Sequence, residues 1–381
     1  MLKRNLVIFA ALLFGMAVTG FQCASTELTS AKLYIQQKNY DKALESLQKE
    51  VQKNPKSDEG YYLLGVVYGE QEKYKDMVDA YSKSLEASPK FDADIKNSKK
   101  YFWANLFNKG VNYYQRGSKT EDKDSSKIFY DKSTLAFENS IFVEPDSVDS
   151  YRNLAFVYLS QGKNDEAVEP LRTVVEKDTA AEGFRFLGEI LYNKGNQAAA
   201  TDSVKAQGYY DDAIKVLEKG RKYNPADSDI LLLLSNSYIA AKKIEVAKDA
   251  FKAGIEADPK NQYYRYNYGV ILLGAEDYAG AEEQFLKAIE IDPGYENAVY
   301  NLAVTYVRWG TAISKEAEEK GETNTEYKKK YEAALPYLEK VVEKKSDDAQ
   351  VWELIGRVYT ILGMQDKATN AFNKADAIRK R

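Results

Sequence analysis

The sequence predicts an all-α protein built as a linear array of about nine helical hairpins, three of them lengthened. Three observations carry this expectation. Pro55 and Pro89, and again Pro225, Pro259 and Pro293, recur every 34 residues, and a fixed period of that size marks stacked repeats. Between the prolines, apolar residues fall at three- and four-residue spacing, which gives each helix one sticky face. Composition agrees: 44% of residues are hydrophobic and 29% charged, while 8 prolines and 22 glycines leave little material for loops. At 381 residues the chain exceeds one compact core, whereas a repeat array lengthens its core as it grows.

The elements follow in order. The first hairpin keeps Ala31, Tyr34, Tyr40, Ala43, Leu47 and Pro55, and the second Tyr61, Leu64, Gly65, Tyr68, Tyr74, Tyr81 and Pro89. The third keeps Leu106, Gly110, Tyr113, Phe137 and Pro145, and the fourth Tyr151, Leu154, Ala155, Tyr158, Ala167 and Leu171. Phe184, Gly188, Leu217 and Pro225 mark the fifth, Leu231, Ser235, Phe251 and Pro259 the sixth, and Tyr268, Gly269, Phe285 and Pro293 the seventh. Leu302, Ala303, Tyr306 and Leu338 mark the eighth, and Trp352, Gly356, Tyr359 and Phe372 the ninth. The small residues at Gly65, Ala155, Gly188, Gly269, Ala303 and Gly356 are expected where the helices of a hairpin cross. Ala43, Ala167, Ala213, Ala247, Ala281, Ala334 and Ala368 are expected opposite that column, small against small. A residue before proline disfavours helix, so Asn54, Ser88, Glu144, Asn224, Asp258 and Asp292 should end second helices. Ser57, Ser147 and Ser228 should cap the helices that follow.

Three hairpins are longer. The tyrosine column of the first helix and the aromatic column of the second lie six residues apart in the first hairpin, at Tyr34 and Tyr40. They lie 17, 19 and 25 apart in the third, fifth and eighth, as at Tyr113 and Tyr130. The added residues, near 118–129, 197–209 and 312–330, read as lengthened solvated hairpins rather than as accessory contacts.

The pattern resembles the tetratricopeptide repeat, or TPR, over nearly everything after Cys23. The resemblance implies a right-handed superhelical solenoid, read here as units 1–3 over residues 24–147, units 4–6 over 148–261 and units 7–9 over 262–381. It also implies that the first helices line a concave groove that engages an extended peptide or helix.

Several function classes are excluded or disfavoured. The chain has no histidine, which removes the commonest general base and zinc ligand, and Cys23 is its only cysteine. A net charge of −4 offers nothing to a phosphate backbone, so nucleic acid is not expected as a partner. No phosphate loop or metal-ligand spacing occurs, so neither enzyme activity nor a cofactor or metal is expected.

At the N-terminus, Lys3 and Arg4 precede an uncharged stretch from Asn5 to Gly20, the layout of a signal peptide over residues 1–22. Gly20-Phe21-Gln22-Cys23 resembles a bacterial lipoprotein site, which implies a lipid attached at Cys23 and a membrane anchor. Gln22 stands where such sites carry a small residue, and a cut near Gly20 that leaves Cys23 free is the alternative.

Candidate binding residues sit on the first helices. Asn108, Asn153, Asn267 and Asn301 fall two residues before the crossing position, and a carboxamide both donates and accepts, as gripping a peptide backbone requires. The ladder resembles that of the glycosyltransferase-linked TPR superhelix, with breaks at Leu63, Phe186, Leu233 and Leu354. Of the 30 tyrosines most belong to packing columns, but Tyr62, Tyr114, Tyr192, Tyr263, Tyr266 and Tyr300 face the expected groove, with Tyr62, Tyr263, Tyr266 and Tyr300 as the candidate binding residues. Arg152 and Arg185 join them, with Glu189 placed to pair with Arg185. The resulting expectation is a protein-binding scaffold or adaptor in the bacterial cell envelope, facing the periplasm. The alternative is a polysaccharide- or peptidoglycan-strand-binding accessory of an envelope assembly or export machine.

Overall fold

The computed structural model describes residues 25–322 and 325–380; the expected signal peptide and Cys23 lie outside them. Among the described residues, all regular structure is helical. α1 (Thr26–Gln36) pairs with α2 (Tyr40–Lys53), and α3 (Asp58–Glu70) with α4 (Tyr74–Ala87). A 3-10 turn, Pro89–Phe91, leads into α5 (Asp92–Lys119) and α6 (Lys123–Val143). Then come α7 (Val148–Ser160) with α8 (Asn164–Lys177), α9 (Ala181–Ala198) with α10 (Ser203–Tyr223), and α11 (Ser228–Ala240) with α12 (Ile244–Ala257). α13 (Gln262–Gly274) with α14 (Tyr278–Ile291), α15 (Glu296–Lys320) with α16 (Glu326–Lys344), and α17 (Ala349–Ile361) with α18 (Gln365–Arg379) complete nine hairpins. The chain divides into two compact units between Pro170 and Leu171, within α8.

Within each unit the second helix of one hairpin packs on the first helix of the next. In the first unit α2 packs on α3 and α6 on α7; in the second, α10, α12, α14 and α16 pack on α11, α13, α15 and α17. A tyrosine–glutamate clasp fastens four of these junctions: Tyr158 donates to Glu138 (3.0 Å), Tyr238 to Glu218 (2.8 Å), Tyr306 to Glu282 (2.6 Å) and Tyr359 to Glu339 (2.9 Å). The second helices end where expected, with Asn54, Ser88, Glu144, Asn224, Asp258 and Asp292 as C-caps. Ser57 and Ser147 accept from Gly60 and Ser150 amides as N-caps. At the third predicted cap Asp227 takes the role from Ser228, accepting from the Ile230 amide at 2.9 Å, because Asp227 stands two residues after its proline as Ser57 and Ser147 do, while Ser228 is already the first residue of the helix.

The crossing column works as holes for knobs, not as small against small. A Cβ added at Gly65 would lie 2.3 Å from the Tyr81 ring, and at Gly110, Gly188, Gly269 and Gly356 it would meet Phe137, Leu217, Phe285 and Phe372 within 3 Å. The second helix thus drives a large side chain against bare backbone. Phe137, Leu217 and Phe285 are fully buried, and burying a side chain of this size contributes about 1.5–3 kcal/mol.

The lengthened hairpins extend this device outward. Their added residues are helix on both arms, and a second hole appears seven residues further along each first helix: Gly117 against Tyr130, Gly195 against Tyr210 and Gly310 against Tyr331. The knobs likewise sit seven residues before Phe137, Leu217 and Leu338. A heptad on each arm repeats a contact face two helical turns away, so the hairpin grows without a new kind of packing.

One junction departs from the others. In hairpins 2 and 4–9 the first helix starts seven residues before its crossing residue, as at Asp58 and Gly65; α5 starts 18 residues before Gly110. Its added first turns carry the buried Ile95, Ser98 and Phe102, and these cover hairpin 2. The Phe102 ring fills the hollow at Gly69, and Tyr81 and Ser98 share a hydroxyl hydrogen bond of 2.5 Å. Accordingly α4 packs on the 3-10 turn and on α6. Eleven extra residues at 1.5 Å each displace the repeat-like part of α5 by about 16 Å along its own axis.

Candidate functional site

The richest grouping of expected binding residues lies in the second unit, on α13 and α15. Asn267 donates from Nδ2 to the Tyr263 carbonyl at 2.8 Å and accepts at Oδ1 from the Ser235 hydroxyl at 3.2 Å. One hairpin on, Asn301 Nδ2 donates to the Tyr266 hydroxyl at 2.8 Å. The Tyr295 ring stands edge-on to Tyr263 and Tyr266, with centroids 5.6 and 5.0 Å away. The sequence reading missed Tyr295; an aromatic directly after Pro293-Gly294, at the N-cap of α15, is the signal that points to it.

These contacts sort the expected residues into two groups. Asn267 and Tyr266, expected on the groove surface, are buried instead, because neighbouring hairpins close over them and satisfy their polar atoms. They act as struts. Tyr263, Tyr300 and Asn301 remain half-exposed and form the accessible part of the patch. Burial raises the phenol pKa of Tyr266, with the Asn301 hydrogen bond opposing it, and burial followed by the Asp348 charge raises that of Tyr300. Both hydroxyls therefore act as neutral hydrogen-bonding groups at physiological pH.

The remaining expected residues are placed separately. Asn153 is half-buried and bonds back along its own helix, donating to the Asp149 carbonyl at 2.8 Å. Arg152 pairs with Asp149 at 2.5 Å. Arg185 reaches Asp229 at 2.7 Å and Asp227 at 4.0 Å on the next hairpin, in place of the pairing expected with Glu189. The interhelical partners win because they approach from the packed neighbour, where the guanidinium is partly shielded from water. The Asp229 hydrogen bond raises the pKa of Arg185 further. Tyr62 stacks on Phe91 with centroids 4.7 Å apart, and burial, then the charges of Asp94 and Glu59, push its phenol up to about 12. Asn108 is exposed and lines a cleft between α5 and the turn of hairpin 2.

Among the described residues no group of three or more histidine, cysteine, aspartate or glutamate side chains is arranged to hold a metal ion. None of the described helices is long and apolar enough to cross a membrane.

Family models described as tetratricopeptide repeats match residues 31–72, 58–91, 147–177, 232–296 and 349–381. Over 366 residues the chain is 24% identical to a TPR repeat-containing protein of Methanocaldococcus jannaschii, covering 91% of this chain and 49% of that one. It is 23% identical over 203 residues to the peroxisomal targeting signal receptor of Candida glabrata, covering 47% and 34% of the two chains. With Hsp70-Hsp90 organizing protein 1 of Arabidopsis thaliana it shares 26% identity over 177 residues, covering 46% and 29%. The chain thus spans about half or less of the length of these relatives. Among solved structures, a tetratricopeptide repeat protein from Parabacteroides merdae aligns with a TM-score of 0.47 at 16% identity, over 72% of this chain and 93% of that one. YrrB, a TPR protein with an unusual peptide-binding site, aligns with a TM-score of 0.33 at 18% identity, over 50% and 91%.

Proposed function

Because the chain belongs to the tetratricopeptide-repeat family, we propose that it is a protein-binding scaffold that holds an extended peptide or helix of its partner against the first helices. One observation carries the reading: Tyr263, Tyr300 and Asn301 stand half-exposed on a lattice of buried groups that fixes their positions before any partner arrives. A rigid tyrosine surface gives large contact area at small entropic cost, and preorganisation lowers the free energy lost on binding. The charge pattern at Lys3 and Arg4, the uncharged stretch behind it and Cys23 support a site of action in the bacterial cell envelope, with the chain held to the membrane by lipid on Cys23.

The test is a photo-crosslinker placed at Tyr300 in the full chain, followed by recovery from the native envelope fraction. A protein captured in stoichiometric amount is expected, with capture lost in Tyr263→Ala/Asn301→Ala while helix content is retained. Asn267→Ala is the wrong probe, since it removes a buried strut and perturbs packing. Capture of glycan alone, or capture indifferent to the double variant, sinks the reading, and recovery of the chain only from the soluble fraction sinks the anchor.

A further inference from the structure

In the repeat, the residues five before, one before and two after the crossing position form the face that stacks on the preceding hairpin. Tyr264 lies against Gly254 and Gly183 against Val174 in this way. The three positions are buried in hairpins 2, 4, 5, 6, 8 and 9, as at Val351, Ile355 and Val358, and in hairpin 7 only Tyr268 is half-buried. Hairpin 3 alone breaks the rule: its stacking face is Asn105, Lys109 and Asn112, and all three are exposed. The displacement of α5 explains the exposure, since hairpin 2 is covered by the added turns and ends short of this face.

The vacated space is a cleft of about 560 Å³ between α5 and the turn of hairpin 2. A second cleft, of about 440 Å³, continues along α5 to Lys119 and the Phe129 ring, and the two share Asn112 and Arg116. Asn105, Asn108, Asn112 and Gln115 share one side of α5, and their carboxamides make no side-chain hydrogen bond among the described residues. Asparagine disfavours helix, so three in eight residues is a cost that packing here does not offset. Charge is uneven along the stripe. Lys109 is neutralised by Glu72 at 2.7 Å, whereas Arg116 rests on the Phe129 ring at 4.1 Å, and neither it nor Lys119 stands in an ion pair among the described residues.

We propose that this slipped junction is a second binding site, separate from the α13–α15 patch, and that it takes an extended peptide segment with acidic side chains at the end nearest Arg116 and Lys119. The ligand class rests on the protein-binding reading above. A carboxamide offers a donor and an acceptor in one plane, matching a peptide group. From Asn105 to Gln115 the stripe runs about 15 Å, the length of four or five extended residues. The two unpaired cations supply the complementary charge and favour bidentate capture of a carboxylate by Arg116.

The experiment pans a phage-displayed random dodecapeptide library on the full chain and measures the selected peptides, fluorescein-labelled, by fluorescence anisotropy. Selected sequences should carry Asp or Glu toward one end. Asn108→Ala/Asn112→Ala and Arg116→Glu should each weaken binding at least tenfold, and Tyr263→Ala/Asn301→Ala should leave it unchanged. Added salt should weaken binding to the native chain and to the asparagine variant, and have little effect on Arg116→Glu. The asparagine substitutions are on an exposed helix face and keep the fold testable by circular dichroism. Peptides without acidic residues, unchanged affinity in both junction variants, or displacement by N-acetylglucosamine oligomers would each overturn the proposal. Binding lost only in the Tyr263/Asn301 variant overturns it too, while leaving the groove reading intact.

Discussion

Replacing glycine by alanine in a helix interior normally stabilises it by about 0.8–1 kcal/mol, because alanine loses less backbone entropy. In this chain the same change should have opposite signs at two glycines. At Gly208, within α10, an added Cβ meets nothing within 4 Å, so Gly208→Ala should stabilise by the full amount, about 1 kcal/mol. At Gly65 the Cβ would sit 2.3 Å from two carbons of the Tyr81 ring. That ring cannot withdraw: Tyr81 is 2% exposed and its hydroxyl is tied to Ser98. Overpacking of this kind costs about 1–3 kcal/mol, and so severe a contact belongs at the upper end. Subtracting the propensity gain leaves a net loss of about 2 kcal/mol, so the two variants should differ by about 3 kcal/mol. Repeat arrays unfold through partial states, so the assay is hydrogen exchange resolved by hairpin, with urea titration as a second readout. Gly65→Ala should lower protection over α3, α4 and the first turns of α5. If it proves as stable as the native chain, the knob-in-hole account of the crossing column is refuted.

Two further outcomes follow from the turns and the clasps. Glu276 is exposed and holds a φ of +61° in the tight turn of hairpin 7, a conformation that costs an L-residue about 1–2 kcal/mol. Glu276→Gly removes that strain at an entropic cost of about 0.5–1 kcal/mol, so the urea midpoint of the second unit should rise slightly; a fall would contradict the strain. For the clasps, burial first and then Glu138 or Glu339 push the phenols of Tyr158 and Tyr359 up to about 12. A pKa raised above the unfolded value of about 10 means stability that is complete below pH 10 and declines as pH climbs toward 12. Tyr158→Phe/Tyr359→Phe should therefore be less stable at pH 8 and lose less stability between pH 10 and 12; matching slopes for variant and native chain would exclude the clasps as the cause.

Hairpin number, helix ends and the three lengthened units were legible in the sequence because each depends on local chemistry. Proline removes a donor and biases its predecessor, and an apolar period of three and four defines one face whatever lies opposite. The partner of each residue was less legible. Which atom fills the space at Gly188 depends on the second helix's rotation: the sequence points to Ala213 opposite it, whereas the structure delivers Leu217. Arg185 was read against Glu189 on its own helix, whereas the stack delivers Asp229 from the next.

The candidate site shows the same division. Sequence alone singled out Asn267, Asn301, Tyr263, Tyr266 and Tyr300 by register, and they do assemble in one place with Asn301 bonded to Tyr266. Register along a helix, however, does not state how closely the next hairpin approaches. Only the tertiary structure decided that Asn267 and Tyr266 are sealed inside while Tyr263, Tyr300 and Asn301 keep their surface. Likewise Asn105, Lys109 and Asn112 stand in positions that elsewhere are buried, and their exposure follows from three extra turns at the start of α5. The sequence determined what each helix is and which face it offers, since those are properties of neighbours along the chain. Packing between hairpins determined which of those faces remain open to a partner, because burial depends on distances between residues that the chain order does not contain.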